Sequence, residues 1–178
     1  MSDKREIKKS STTVYDGRII NVTVDKVTCP NGRISTREIV HHRGGVCILG
    51  VIDSNIIMEK QYRYAYDEEL YELPAGKLEK GEDSYVAGIR EFEEETGYKA
   101  ESLTSLGVMY PTCGYSNEII YLYLANNIVK SERHLDEDEV IDVLYIPLEK
   151  VLSMIEEGTI KDAKTICAIS KYLLLKRN

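Results

Sequence analysis

Apolar and polar residues alternate with a period of two through the first half of the chain, and the period then lengthens to that of a helix. Over residues 19–29, Ile20, Val22 and Val24 fall on one face and Asn21, Thr23 and Asp25 on the other, which predicts a strand. Pro30-Asn31-Gly32 predicts a tight turn, with residues 34–42 as the return strand. Gly44-Gly45 breaks the chain. Residues 46–53 and 56–64 predict a second pair turning at Asp53-Ser54-Asn55, and residues 70–74 a short strand ending at a proline. From Ser84 to Thr96, Val86, Ile89 and Phe92 recur at helical spacing. Glu82-Asp83-Ser84 offers N-cap candidates, and Gly97 is a natural stop. Strands are predicted again at 103–110, 119–125 and 140–146, and helices at 148–157 and 163–176, with Gly158 between the helices. This order predicts an α/β (α+β) fold. The first ~40 residues read as a separate small sheet, and the chain divides into an extension, 1–43, and a main domain, 44–178.

Composition narrows the class. A chain of 178 residues buries a core without staples. Its net charge of −7 argues against a basic nucleic-acid surface, so no nucleic-acid partner is expected. Cys29, Cys47, Cys113 and Cys167 form no C-x-x-C pair and no zinc spacing, and free thiols in a reducing cytosol are the simplest account. The polar N-terminus lacks an apolar signal core, and no apolar run reaches the ~20 residues of a membrane span. A cytoplasmic protein without a membrane partner is expected. His41, His42 and His134 lack metal-site spacing, and Cys113 has no histidine near it in sequence to activate it.

The chemistry concentrates in residues 76–98, GKLEKGEDSYVAGIREFEEETGY. Glu91, Glu94 and Glu95 lie at i, i+3 and i+4, on one helical face. Three like charges there repel one another, so such a face calls for cations, and hard oxygen ligands suit Mg²⁺ or Mn²⁺. Arg90 is placed to pair with Glu82 or Glu94, and Gly76 frees the backbone to turn the Ala75 carbonyl toward a metal. A bare Glu-x-x-Glu-Glu is ordinarily a solvated face. Here Gly76, Glu82, Arg90, Glu91, Phe92, Glu94, Glu95, Gly97 and Tyr98 occupy every defined position of the Nudix box, and the chain resembles the Nudix hydrolase family on that ground.

The resemblance implies an α/β/α sandwich with a mixed β-sheet, carrying here an N-terminal antiparallel β extension. It implies Glu91 and Glu95 as metal ligands, then Glu94 and the Ala75 carbonyl. Arg90 and Glu82 brace the site, and Gly76 and Gly97 shape the box. Glu94 and Arg90 also count as catalytic. The flanks, Gln61-Tyr62-Arg63-Tyr64, residues 69–76 and residues 37–46, resemble the ADP-ribose pyrophosphatase branch. In that branch Arg63 would contact the diphosphate, Arg37 the nucleotide, and Glu118 the sugar. Cys113 stands where the branch carries proline in its substrate loop, which leaves the substrate open: ADP-ribose first, then another nucleoside diphosphate sugar such as GDP-mannose or a small nucleotide, then a non-catalytic ADP-ribose sensor. In the acidic run His134-Leu135-Asp136-Glu137-Asp138-Glu139, Glu137 is the first choice for the catalytic base and Glu139 for an extra metal ligand, and the two roles are exchangeable. A homodimer in which the N-terminal strands contribute to the partner's site is also implied. Tyr15 or Tyr62 is a candidate to stack on an adenine.

Overall fold

Alternation along the central strands sorts their side chains onto two opposite faces, and helices cover both. The structure, a computed structural model, describes residues 3–135, 137 and 139–177. It divides into two compact units, residues 1–43 with 110–119, and residues 44–109 with 120–178.

The first unit carries a three-stranded antiparallel sheet of β1 (Ile7–Asp16), β2 (Asn21–Thr28) and β3 (Ile34–His41), with β2 in the middle. The expected hairpin turns at residues 29–33, where Cys29 and Arg33 close the turn by a 2.8 Å backbone bond. The alternation of β2 holds, but Thr23, Asp25 and Val27 form the buried face. Its polar side chains are satisfied there: Asp25 accepts from Ser11 and pairs with Lys8, and Thr23 meets His41 at 2.9 Å. β1 is a strand the hydrophobic pattern does not predict. Every one of its residues is exposed, so backbone pairing holds it rather than an apolar face.

The second unit contains two sheets. One has the order β8-β4-β10-β9, built from β4 (Gly45–Leu49), β8 (Ala75–Lys77), β9 (Tyr98–Met109) and β10 (Ile120–Lys130). β4 and β10 run parallel and the other pairs antiparallel, so this sheet is mixed. The other has the order β11-β6-β5, from β5 (Val51–Ile52), β6 (Asn55–Arg63) and β11 (Ile141–Pro147), with β7 (Glu68–Glu72) also paired to β6. Asp53 and Ser54 turn β5 into β6, both at positive φ, 48° and 66°. The expected strand 46–53 is divided at Gly50. β9 and β10 run beyond their expected ends, Tyr98 to Ser102 pairing with Asn126 to Lys130, where Tyr98, Ala100 and Ile128 extend the core on the α1 side.

Cys47, Leu49, Ile56, Met58 and Leu122 pack with Val151 and Met154 of α2 (Leu148–Glu156) and Ala168 and Ile169 of α3 (Ala163–Leu175). Val46, Ile48, Ile57 and Tyr123 pack with Ala87 and Phe92 of α1 (Ser84–Thr96). Neighbours on one strand thus serve opposite cores, the pattern of helices on both faces of β structure. Among the described residues no helix is long and apolar enough to cross a membrane.

Both ends of α1 are fixed. Asp83 is the N-cap, accepting from the amides of Tyr85 at 2.9 Å and Val86 at 3.3 Å. Gly97 ends the helix in the left-handed region at φ 72°, its amide bonded to the Glu93 carbonyl at 2.9 Å. Replacing Asp83 by Ala removes the cap and is expected to lower unfolding free energy by ~1 kcal/mol, with Asn close to neutral. Urea unfolding of the three proteins checks this; equal midpoints for Ala and Asp would contradict it.

Candidate metal-dependent active site

The loop before α1 and the helix itself are tied together by one arginine. Arg90 contacts Glu82 through Nε and Nη2, each at 3.0 Å, Glu94 through Nη1 at 2.8 Å, and Glu91 through Nη2 at 2.9 Å. Glu82 in turn accepts the Glu79 amide at 2.9 Å, so the loop is clamped at both sides. The sequence reading paired Arg90 with Glu82 or Glu94; the structure has both, and Glu91 as well. Glu95, 5% exposed, accepts the Ala75 amide at 2.8 Å, which joins the end of β7's outgoing chain to the helix. Gly76 lies against Glu91, and a Cβ there would fall inside the Glu91 carboxylate. Ala75, Gly76, Glu82, Arg90, Glu91, Glu94 and Glu95 are therefore brought together around one face of α1.

A second set of charged groups stands on β6 and β7. Arg63 donates to Glu72 through Nε and through Nη2, the latter at 2.9 Å. Glu72 is 3% exposed and also takes the ammonium of Lys164, which reaches 3.0 Å to Asp162. Burial pushes the Glu72 carboxyl up, but Arg63 and Lys164 together hold it below the usual carboxylate range. Glu59, on the neighbouring strand, is 3% exposed and its Oε1 has no hydrogen-bond partner among the described residues.

The carboxylates around the glutamate helix and β6 behave oppositely, because burial outweighs whatever cation is near them. Burial raises Glu91 to about 7 although Arg90 opposes it, and Glu94 and Glu139 add to the rise. Burial raises Glu59 to about 8, with Glu72 and Glu139 adding and Arg133 and Arg63 opposing. Burial, then the charges of Glu59 and Glu91, push Glu95 well above the usual range. Glu139 thus exerts its field on all three.

These residues fit a hard divalent cation. They are oxygen donors, several negative charges share a small volume, and one buried carboxylate oxygen lacks a partner. Among the described residues no three acidic, histidine or cysteine groups stand as a ready-made metal cage. Arg90 engages Glu91 through Oε1 and Glu94 through Oε2, and the Ala75 amide engages Glu95 through Oε2, so each carboxylate keeps a second oxygen to offer a cation.

Glu137 is exposed in a turn, and Asp136 and Asp138 lie outside the described residues. Arg37 and Glu118 belong to the first unit. Arg37 is bound to Glu6 through Nε at 2.9 Å and through Nη2. Glu118 pairs with His42 at 3.1 Å. Tyr62 donates to Asp67 at 2.6 Å and is half exposed, as is Tyr15, while Cys113 is an exposed thiol and all four cysteines are free. Sequence reasoning missed Glu59, Arg133 and Lys164. Glu59 had a signal: it interrupts Ile56-Ile57-Met58 at the inward parity of a buried strand. Arg133 anchors its loop by donating to the carbonyls of Glu95 and Ile141.

The NUDIX domain model matches residues 41–169, and the model of the nucleoside diphosphate sugar hydrolase N-terminal domain matches residues 6–40. The chain belongs to the Nudix family and is a hydrolase. It is 43% identical over 166 residues to the ADP-ribose pyrophosphatase of Bacillus subtilis, covering 92% of this chain and 89% of that one. The methanol dehydrogenase activator of Bacillus methanolicus is also 43% identical, with the same coverage. A solved ADP compounds hydrolase shares the fold, with a TM-score of 0.88 at 21% identity over 99% of this chain and 97% of that one.

Two outcomes follow. An unfolded chain titrates Glu59 and Glu91 near 4.5, whereas the folded chain holds their protons to about 8 and about 7. The folded state therefore binds more protons in that interval, and metal-free stability falls as pH rises from about 5 to about 8. Thermal unfolding in EDTA checks the slope, and Mn²⁺ at pH 8 should reverse the loss; a rising profile in EDTA would contradict it. Gly76→Ala displaces Glu91 and is expected to reduce Mn²⁺ affinity at least tenfold by calorimetry, a size typical of disturbed metal surroundings.

Proposed function

We propose that this chain hydrolyses the pyrophosphate of ADP-ribose to AMP and ribose 5-phosphate, using Mg²⁺, with Mn²⁺ as a substitute. The observation that carries the substrate is the 43% identity to the Bacillus subtilis ADP-ribose pyrophosphatase, which extends over 92% of the chain rather than the box alone. Arg63, fixed by buried Glu72, supports it by presenting a rigid guanidinium fork suited to a diphosphate.

In this reading Glu91 and Glu95 hold divalent cations, with Glu94, Glu139 and the Ala75 carbonyl as further ligands. Bound cations neutralise phosphate charge and lower the pKa of a water. Arg90 and Glu82 keep the carboxylate-bearing turn of α1 at a fixed distance from the Gly76 loop. Arg63 orients the diphosphate, and Glu137 accepts the proton as the water oxygen adds to phosphorus and the bond to the bridging oxygen breaks. Arg37 and Glu118 recognise the nucleotide and the sugar. Residues 1–43 serve as a dimerisation module within a cytoplasmic homodimer, each contributing to its partner's site.

Parallel turnover assays with ADP-ribose, GDP-mannose, NADH and 8-oxo-dGTP test the substrate. ADP-ribose is expected to give the highest kcat/KM, and a clear preference for GDP-mannose would overturn the choice. Glu94→Gln and Glu95→Gln are expected to abolish turnover. Binding of ADP-ribose with no turnover by the unmodified protein would instead indicate a sensor. Arg63→Ala is expected to lower kcat/KM by about 10²-fold through lost positioning.

A further inference from the structure

The parity of β6 places one more carboxylate on the wall facing the glutamate helix. Ile56 and Met58 pack with α2 and α3, whereas Ile57 packs with Ala87 and Phe92 of α1. Two residues further on, Glu59 faces the same way as Ile57. Its cross-strand partner on β11 is Val143, which packs against the α1 core, and its partner on β7 is Glu72. Directly opposed residues share a face of the sheet, so Glu59 and Glu72 stand side by side, Glu72 meeting Lys164 at the start of α3.

The two glutamates differ in what they meet. Glu72 has Arg63 and Lys164. Glu59 has 3% of its surface exposed and an Oε1 without a partner among the described residues. Arg133, whose field reaches it, already donates to the carbonyls of Glu95 and Ile141. A buried carboxylate left in this state costs far more than an apolar side chain of the same length. A cation bound between the two walls removes that cost, and a hard cation that keeps six oxygen ligands has places beyond those one helix face supplies.

We propose that Glu59 is a further carboxylate of the divalent-cation site, meeting from β6 the cation that Glu95 holds from α1. This rests on the metal-dependent hydrolase reading above. It places a ligand outside the box helix, on the strand that also carries Arg63, so cation binding would fix α1 and β6 relative to each other.

The test is calorimetric titration of the full-length protein with Mn²⁺ alone, without substrate, alongside Glu59→Gln, Glu59→Met and Glu95→Gln. Both Glu59 variants are expected to bind Mn²⁺ about tenfold or more weakly. Glu59→Met should also raise the melting temperature in EDTA and shrink the increment that Mn²⁺ adds. Wild-type Mn²⁺ affinity in a folded Glu59 variant overturns the inference, and Glu59→Met decides if Glu59→Gln does not fold. If Glu95→Gln alone loses affinity, only the role of Glu59 falls; if all three variants bind as wild type does, the cation site on α1 falls with it.

Discussion

Like charges crowded where water is largely excluded set the terms for this molecule. Glu59, Glu91 and Glu95 each lose hydration on folding, and each raises or is raised by another. Such an arrangement works against the folded state, because a charge removed from water is costly unless it is paired. Without metal the chain has two partial remedies, protons held to higher pH and, for Glu91, the guanidinium of Arg90, which is shared with Glu82 and Glu94. A divalent cation is the stronger remedy, and the conflict among the carboxylates is what gives the site its affinity for one.

The surrounding structure is arranged so that these groups cannot move apart. α1 is closed by Asp83 at one end and by Gly97 at the other. Phe92, fully buried, fixes the rotation of the helix so that Glu91 and Glu95 face the Gly76 loop rather than solvent. A groove of about 550 Å³ lined by Tyr85, Val86, Ile89, Arg90, Glu93, Glu94 and His134 borders the same clamp through Arg90 and Glu94. On the opposite wall, Glu72 is held by two cations and therefore stays charged, which makes it a stable anchor for Arg63. Two buried glutamates paired across neighbouring strands thus have different tasks, decided by whether a basic side chain reaches them.

Much of this was legible in the sequence because it is local. A helix with its caps, an i, i+4 arginine–glutamate pair and a close-packed glycine all follow from spacing within the box. The central strands were legible because Ile56, Ile57 and Met58 alternate between two cores. β1 was not, since an all-exposed strand has no hydrophobic signature and depends on pairing with β2. Nor were the contacts of Lys164 and Arg133, which come from segments distant along the chain: Lys164 reaches Glu72 across 92 residues and Arg133 reaches Glu95 across 38. The alternation of β2 was read correctly, but not its polar buried face, because only the partners Ser11, Lys8 and His41 reveal it.

Anomalous diffraction from crystals grown with Mn²⁺ tests the central claim most directly. Strong peaks are expected about 2.0–2.3 Å from the carboxylate oxygens of Glu91 and Glu95, the range for a small hard cation on oxygen. The absence of any peak beside α1 at saturating Mn²⁺ would contradict it.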